Sequence, residues 1–214
     1  MRETAEAGKV VKHSSPEVEE GVNLVEKPEK RPVFQELLAS ELGSSRGEAV
    51  WIDTRNQSST YALASASGAE VLDRVRIGRA FTPFQHHSLV TGLEDWIDQD
   101  VKFLALPQFS HLYLDGQVSD WEAEELFLEA WDEVVRLQKK FDLKVLVSVP
   151  GDSLLCYRVR RDASNRIDVE RTPEGVRYES KEHQQLFYRS PGSFQTTLPY
   201  WSSKTREVET VATY

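Results

Sequence analysis

The stretch that decides the fold runs from Ala49 to Tyr113. It opens with AVWIDTRNQSSTYAL (49–63), continues with VLDRVRIGRAFTPFQHHSLV (71–90) and closes with VKFLALPQFSHLY (101–113). Each block contains a short run of β-branched and other apolar residues that ends in a polar pair or a turn signal, and segments of helical period follow. Strands that alternate with helices in this way predict βαβ units and a parallel sheet. Outward from this stretch, the same pattern predicts strands at 22–26, 49–54, 75–81, 102–106 and 144–149.

The intervening helices carry start and stop signals. Pro32 suits a first helical position before VFQELLASEL, and Gly43 suits the left-handed residue after its end. A second helix is predicted from Ser58 to Ser67, stopped by Gly68. At the third, Thr82 caps, Pro83 sets the first φ, and Gln85 reaches back to complete a capping box; Ser119 and Glu122 repeat the device before Phe127, Trp131, Val134, Val135 and Phe141. After Pro150 the alternation becomes twofold in CYRVRRD, RIDVERT, GVRYES and QLFYR, which predicts antiparallel strands. The expected class is α/β, a mostly parallel sheet with antiparallel C-terminal hairpins. Residues 21–201 are expected to form the domain, between a disordered tail at 1–20 and a flexible one at 202–214.

Composition bounds the function. A chain of 214 residues is long enough to bury roughly 70% of its unfolded surface without staples. Its one cysteine, Cys156, cannot close an intramolecular disulfide, and no Cys/His cluster has zinc-ligand spacing, so a reducing, cytoplasmic location is expected. The charged start lacks an apolar signal core, and nowhere do eighteen apolar residues run together, so neither export by that route nor a membrane span is expected. A net charge of −9 argues against holding nucleic acid by bulk charge.

With Asp53-Thr54, Arg79-Ala80-Phe81 and Gln85-His86-His87 in this order and spacing, residues 20–155 resemble the ATPase core of the RecA/RadA recombinase superfamily. The resemblance implies a RecA-like three-layer core. It also implies a nucleotide site, and the residues at that site depart from the family pattern. A phosphate-binding loop needs glycines so that backbone N–H groups crowd the phosphates, then Lys and Ser/Thr. Between Val25 and Phe34 the chain reads EKPEKRPV, with no glycine and two prolines, and only Lys27, Lys30 and Arg31 leave positive charge there. Where the family places its catalytic glutamate stands Arg55, which cannot deprotonate water. Where the magnesium-associated aspartate should end FLAL stand Pro107 and Gln108, which cannot replace a carboxylate. Lys30, Arg31, Asp53, Arg55 and Pro107 thus read as a vestigial ATP site, with no cofactor and no enzyme activity expected. Arg55 is expected to close it by an ion pair to Asp53 or Glu26.

Of the family's two DNA-binding loops, the first has its equivalent at Gln108 to Ser119, with His111, Tyr113 and Asp115, while the second has shrunk to Val149–Asp152. One stretch is basic. Leu154 to Arg189 holds eight cations against six carboxylates, +2, which leaves −11 for the remainder. Arg158, Arg160, Arg161, Arg166, Arg171 and Arg177 with interleaved Tyr157, Tyr178, Phe187 and Tyr188 have the composition of a weak single-stranded DNA or partner surface, and equally that of a sheet edge guarded by charge. Adjacent His86 and His87 lie about 100° apart on a helix, unlike an i, i+4 metal pair, and read as structural. Cys156 reads as a buried strand residue, Trp51, Trp96, Trp121 and Trp131 as core or docking surface, and Trp201 as an anchor for the C-terminal strand or a partner.

The expected function is that of a catalytically inactive RecA/RadA-like paralog, a pseudo-ATPase with a degenerate Walker A segment. It would bind a recombinase or other repair protein as an accessory or regulator of DNA recombination and repair. The rival readings are a cell-division or stress-response inhibitor of the SulA type and a divergent nucleotide-binding protein.

Overall fold

A computed structural model describes residues 18–26, 33–54, 56, 58–172, 175–180, 184–190 and 193–196. The first strand, β1 (Gly21–Glu26), is followed by α1 (Val33–Ser44), β2 (Glu48–Asp53), α2 (Thr60–Ser67), β3 (Val75–Arg79) and α3 (Pro83–Thr91). Then come β4 (Val101–Leu106), α4 (Asp120–Phe141), β5 (Lys144–Val147), α5 (Leu154–Asp162), β6 (Asn165–Thr172), β7 (Gly175–Glu179), β8 (Gln184–Ser190) and β9 (Ser193–Thr196). The strands form a single sheet in the order β3-β2-β4-β5-β1-β6-β7-β8-β9. Pairing is parallel from β3 through β6 and antiparallel from β6 to β9. This is the mixed α/β class expected from the alternation of elements.

Parallel strands buried on both faces need apolar side chains at consecutive positions, and VWI and FLAL supply them. Val50, Ile52, Leu104, Leu106, Val145 and Val147 point to one core with Phe127, Trp131 and Val134 of α4, Val90 of α3 and Val159 of α5. Ala49, Trp51, Phe103, Ala105, Leu146 and Ile167 point to the opposite core with Phe34, Leu37, Leu38 and Leu42 of α1 and Leu63 of α2. The sheet therefore carries helices on both faces. Val18 is fully buried in the second core, so the packed body begins a little before β1.

Most helix starts follow the sequence signals. Thr82 Oγ1 accepts the Gln85 N–H at 3.2 Å, and Gln85 Oε1 accepts the Phe81 N–H at 2.9 Å, one residue before the cap. Ser119 Oγ accepts the Glu122 N–H at 3.4 Å. The second helix starts at Thr60 rather than Ser58, capped by Ser59, and Gly68 follows it with φ +92°, where a side chain would be strained. Gly43, by contrast, lies inside α1. The helix runs on to Ser44 because Arg74 donates to the Leu42 carbonyl at 2.6 Å and to that of Ser45 at 2.9 Å, satisfying acceptors that a glycine cap would otherwise serve.

One element is the reverse of the expectation. CYRVRRD is helix, not strand: Ser153 Oγ accepts the Cys156 N–H at 3.3 Å, and Leu155, Cys156 and Val159 share the buried face of α5. Cys156 is accordingly buried in a helix. The first strand after it, β6, pairs parallel to β1, and the antiparallel hairpins begin only with β7. Tyr178 of β7 ties that extension to α1, its hydroxyl donating to Glu36 at 2.9 Å.

Candidate functional site

In an open parallel sheet, ligands gather at the carboxyl ends of the strands, where helix starts and loops converge. Here that edge is built from the residues after β1, β2, β3, β4 and β5. At the end of β2, the buried Asp53 carboxylate accepts from the Ser58 N–H at 3.0 Å and from the Ser58 hydroxyl at 2.6 Å. Arg79, ending the neighbouring β3, holds its Nε 3.8 Å from the same carboxylate. Thr54 donates its hydroxyl to the Pro107 carbonyl at 3.0 Å and lies 3.3 Å from that of Gln108. Gln108 adopts a left-handed φ of +53°, and its N–H is held by Ser148 Oγ at 2.9 Å. The ends of β2, β4 and β5 are thus laced to one another by short side chains.

The end of β1 is closed from the other side. Glu26 is nearly buried, and Arg160 of α5 donates Nε to it at 2.8 Å while also donating to the Gly151 carbonyl at 2.8 Å. Arg166 of β6 stands 3.7 Å from the same carboxylate. The bond to Glu26 holds the Arg160 guanidinium firmly in its charged form, against the opposing effect of burial.

Of the vestigial site, the structure brings Asp53 and Pro107 together at the ends of adjacent strands through the Thr54 bridge. Lys30, Arg31 and Arg55 lie outside the described residues, as do Lys27 and Trp201. The ion pair expected between Arg55 and Glu26 or Asp53 therefore falls outside them too. A magnesium nucleotide does not fit what is described of this edge. Pro107, just after β4, offers no carboxylate and has its carbonyl engaged by Thr54, and the two buried carboxylates of this edge are taken up, Asp53 by Ser58 and Glu26 by Arg160. Among the described residues no three His, Cys, Asp or Glu side chains converge as a metal site.

The basic set is divided, and its described side chains are paired. Arg158, Arg160 and Arg161 sit on α5 rather than in a hairpin, Arg166 and Arg171 on β6, and Arg177 on β7. Arg158 reaches Asp132 and Asp162, Arg161 reaches Asp162, Arg166 reaches Asp168, and Arg177 reaches Glu170, all between 2.9 and 3.2 Å. Arginines already matched to carboxylates have less charge to offer a phosphate backbone.

The loop from Gln108 to Ser119 is packed inward over its first half, to Tyr113, and exposed from Leu114 to Gln117. Phe109 and Ser110 are fully buried, and Tyr113 lies under the surface with its hydroxyl 2.7 Å from His86 Nδ1. His86 is completely buried, edge-on to Phe109 and Tyr113, and its Nε2 has no hydrogen-bond partner. Burial, with a smaller repulsion from His87, pushes the His86 imidazole down to about 3. His87 faces Glu129 of α4 at 2.8 Å. The histidine pair is thus structural in geometry, one ring in the core and the other bridging two helices.

Apart from Trp121 and Tyr157, sequence reasoning missed the exposed apolar groups of this edge. Among the described residues the exposed large hydrophobics are Tyr61, Phe81, Phe84, Leu114, Trp121, Leu154 and Tyr157. All seven follow the carboxyl ends of β2 to β5, in a helix start or the loop before it. Trp121, 72% exposed, resolves its alternatives toward surface, while Trp51 and Trp131 are core. The available signal was position: Phe81, Phe84 and Trp121 flank the caps Thr82 and Ser119, where no inward face is yet defined. No helix among the described residues is long and apolar enough to cross a membrane. No protein-family model matches the chain, and no curated protein proves significantly similar to it.

Proposed function

We propose that this chain is a RecA/RadA-like protein without ATPase function that acts in the cytoplasm by binding another protein, as an accessory or regulator of DNA recombination and repair. The observation that carries the reading is the state of the carboxyl edge. β1 leads through EKPEKRPV into α1, the strand–loop–helix order of a phosphate-binding loop without its glycines or its Gly-Lys-Ser/Thr. Beside it, Thr54 closes on Pro107 where a metal-facing carboxylate would be needed. Helices on both faces of a mostly parallel sheet support the RecA-like comparison. The pairing of the α5 and β6–β7 arginines favours a protein partner over single-stranded DNA, which would be held weakly and in a salt-sensitive way.

Phosphate release from magnesium-ATP by the pure protein tests the first half of this reading, and no turnover above buffer is expected. Turnover abolished by Arg31→Ala would overturn it. Affinity purification from the native cell tests the second half: recovery of the recombinase supports the proposal, whereas recovery of a division protein supports the inhibitor of the SulA type.

A further inference from the structure

The exposed apolar groups coincide with an unusual distribution of charge. From Ala80 to Val135 the chain holds twelve Asp and Glu and one cation, Lys102; Glu94, Asp98, Asp132 and Glu133 are paired with cations from outside the stretch, whereas Asp115, Asp120, Glu124 and Glu125 form no ion pair among the described residues. The stretch contains α3, β4 and most of α4, and it carries Phe81, Phe84, Leu114 and Trp121, each between 43% and 72% exposed. These residues stand on adjoining segments. The Gln117 side-chain amide lies 3.5 Å from the Phe81 carbonyl, and His87 bridges α3 to Glu129 of α4. Asp115, Asp120, Glu124 and Glu125 are exposed around them.

Three aromatics and a leucine left in water on neighbouring segments are what an interaction surface presents, with tryptophan the commonest kind of anchor. The carboxylates decide what covers it. A nucleic acid or an anionic membrane would meet like charge over the whole face. Among the described residues a second copy offers little complement, because Arg158, Arg160, Arg161, Arg166 and Arg177 are each engaged by its own carboxylates. We propose that the face formed by Phe81, Phe84, Leu114 and Trp121 docks a basic amphipathic segment of a partner protein. Its apolar side chains would cover the aromatics while its Lys and Arg face Asp115, Asp120, Glu124 and Glu125. This inference deepens the interaction-protein reading and names the kind of partner; it does not depend on the state of the nucleotide site.

The test uses the full chain and two fluorescent, tryptophan-free helical peptides of about 18 residues, five turns. They share one Leu/Phe face and differ only in a Lys/Arg or a Glu polar face. Anisotropy should show binding of the basic peptide, weakened by salt, and none of its acidic twin. Trp121→Ala with Phe84→Ala should weaken it by about tenfold or more, and Glu124→Lys with Glu125→Lys should do the same with the apolar groups intact. Both pairs are exposed, so unchanged urea midpoints will certify the fold. Equal binding of the two peptides, no binding of either, or full binding by both double variants would overturn the proposal. Self-association abolished by Trp121→Ala would overturn it in favour of a second copy. Because nucleotide turnover is read separately, ATP hydrolysis would remove the functional reading and leave this one standing.

Discussion

Lowering the pH from 7 to 5 should destabilise this protein through a single side chain, His86. The imidazole is fully buried against Phe109 and Tyr113, and burial pushes it from 6.5 down to about 3. In the unfolded chain it titrates near its ordinary value, so between pH 6.5 and about 3 the unfolded state binds a proton that the native state refuses. The contribution to stability is therefore complete above pH 6.5 and is lost as the pH falls. Each pH unit inside the window costs about 1.4 kcal/mol, which gives about 2 kcal/mol between pH 7 and pH 5. With a urea slope of about 2 kcal/mol per molar, the midpoint should fall by roughly 1 M. The assay is urea unfolding at both pH values for the wild type and for His86→Gln, whose amide can still meet the Tyr113 hydroxyl without taking a charge. Ordinary carboxylates titrate below about pH 5, the lower of the two measurements, and contribute equally to both proteins, so the difference between the two drops isolates the imidazole. If His86→Gln loses as much stability as the wild type, burial of the ring is not what resists the proton, and the reasoning fails.

Two further outcomes follow from the ion pairs and the core. Arg160→Ala leaves the nearly buried Glu26 with Arg166 at 3.7 Å as its remaining cation among the described residues and should cost about 2 kcal/mol in urea unfolding, whereas Arg160→Met with Glu26→Gln should restore most of it; a loss below about 0.5 kcal/mol would show that solvent screens the pair. Trp131→Ala empties the centre of one core and removes the indole N–H donated to Asp162 at 3.0 Å, so a loss of about 3–5 kcal/mol is expected, with a lowered thermal midpoint as the readout.

Five of the six parallel strands were legible because each is a short apolar run closed by a polar or turn residue, a signal that buried parallel pairing itself demands; the sixth, β6, alternates like a hairpin strand and reads as antiparallel. The capped helices were legible for a similar reason, since Thr82-Pro83 and Ser119 act on backbone within three residues. Where two periods fit one segment, the pattern misled. In CYRVRRD, alternation pairs Tyr157 with Val159 and Arg161, yet Leu155, Cys156 and Val159 lie just as well along one helix face. Ser153 is followed three residues later by Cys156 rather than by Glu or Gln, so no capping box announced α5. At the site, Asp53 and Pro107 were placed by their strand ends. The partners of Glu26 were not foreseen, because Arg160 reaches it across 134 residues of chain. Exposure at Phe81 and Trp121 was equally beyond local pattern, since it depends on which neighbours arrive to cover a helix start.

The place of β1 at the middle of the sheet bears on how the protein is made. Its Asn23 side chain donates to the Val145 carbonyl 122 residues away and accepts from Asn165 at a separation of 142. Both neighbours of β1 leave the ribosome long after it does. At about 5–20 residues per second, β1 waits on the order of ten seconds for β5 and longer for β6. Through that interval the nascent chain carries an apolar strand with both edges unpaired, the kind of segment that sticks to other chains. Assembly from such distant pairings is intrinsically slow, so synthesis rate and the availability of a holding chaperone, more than final stability, should govern how much folded protein a cell obtains.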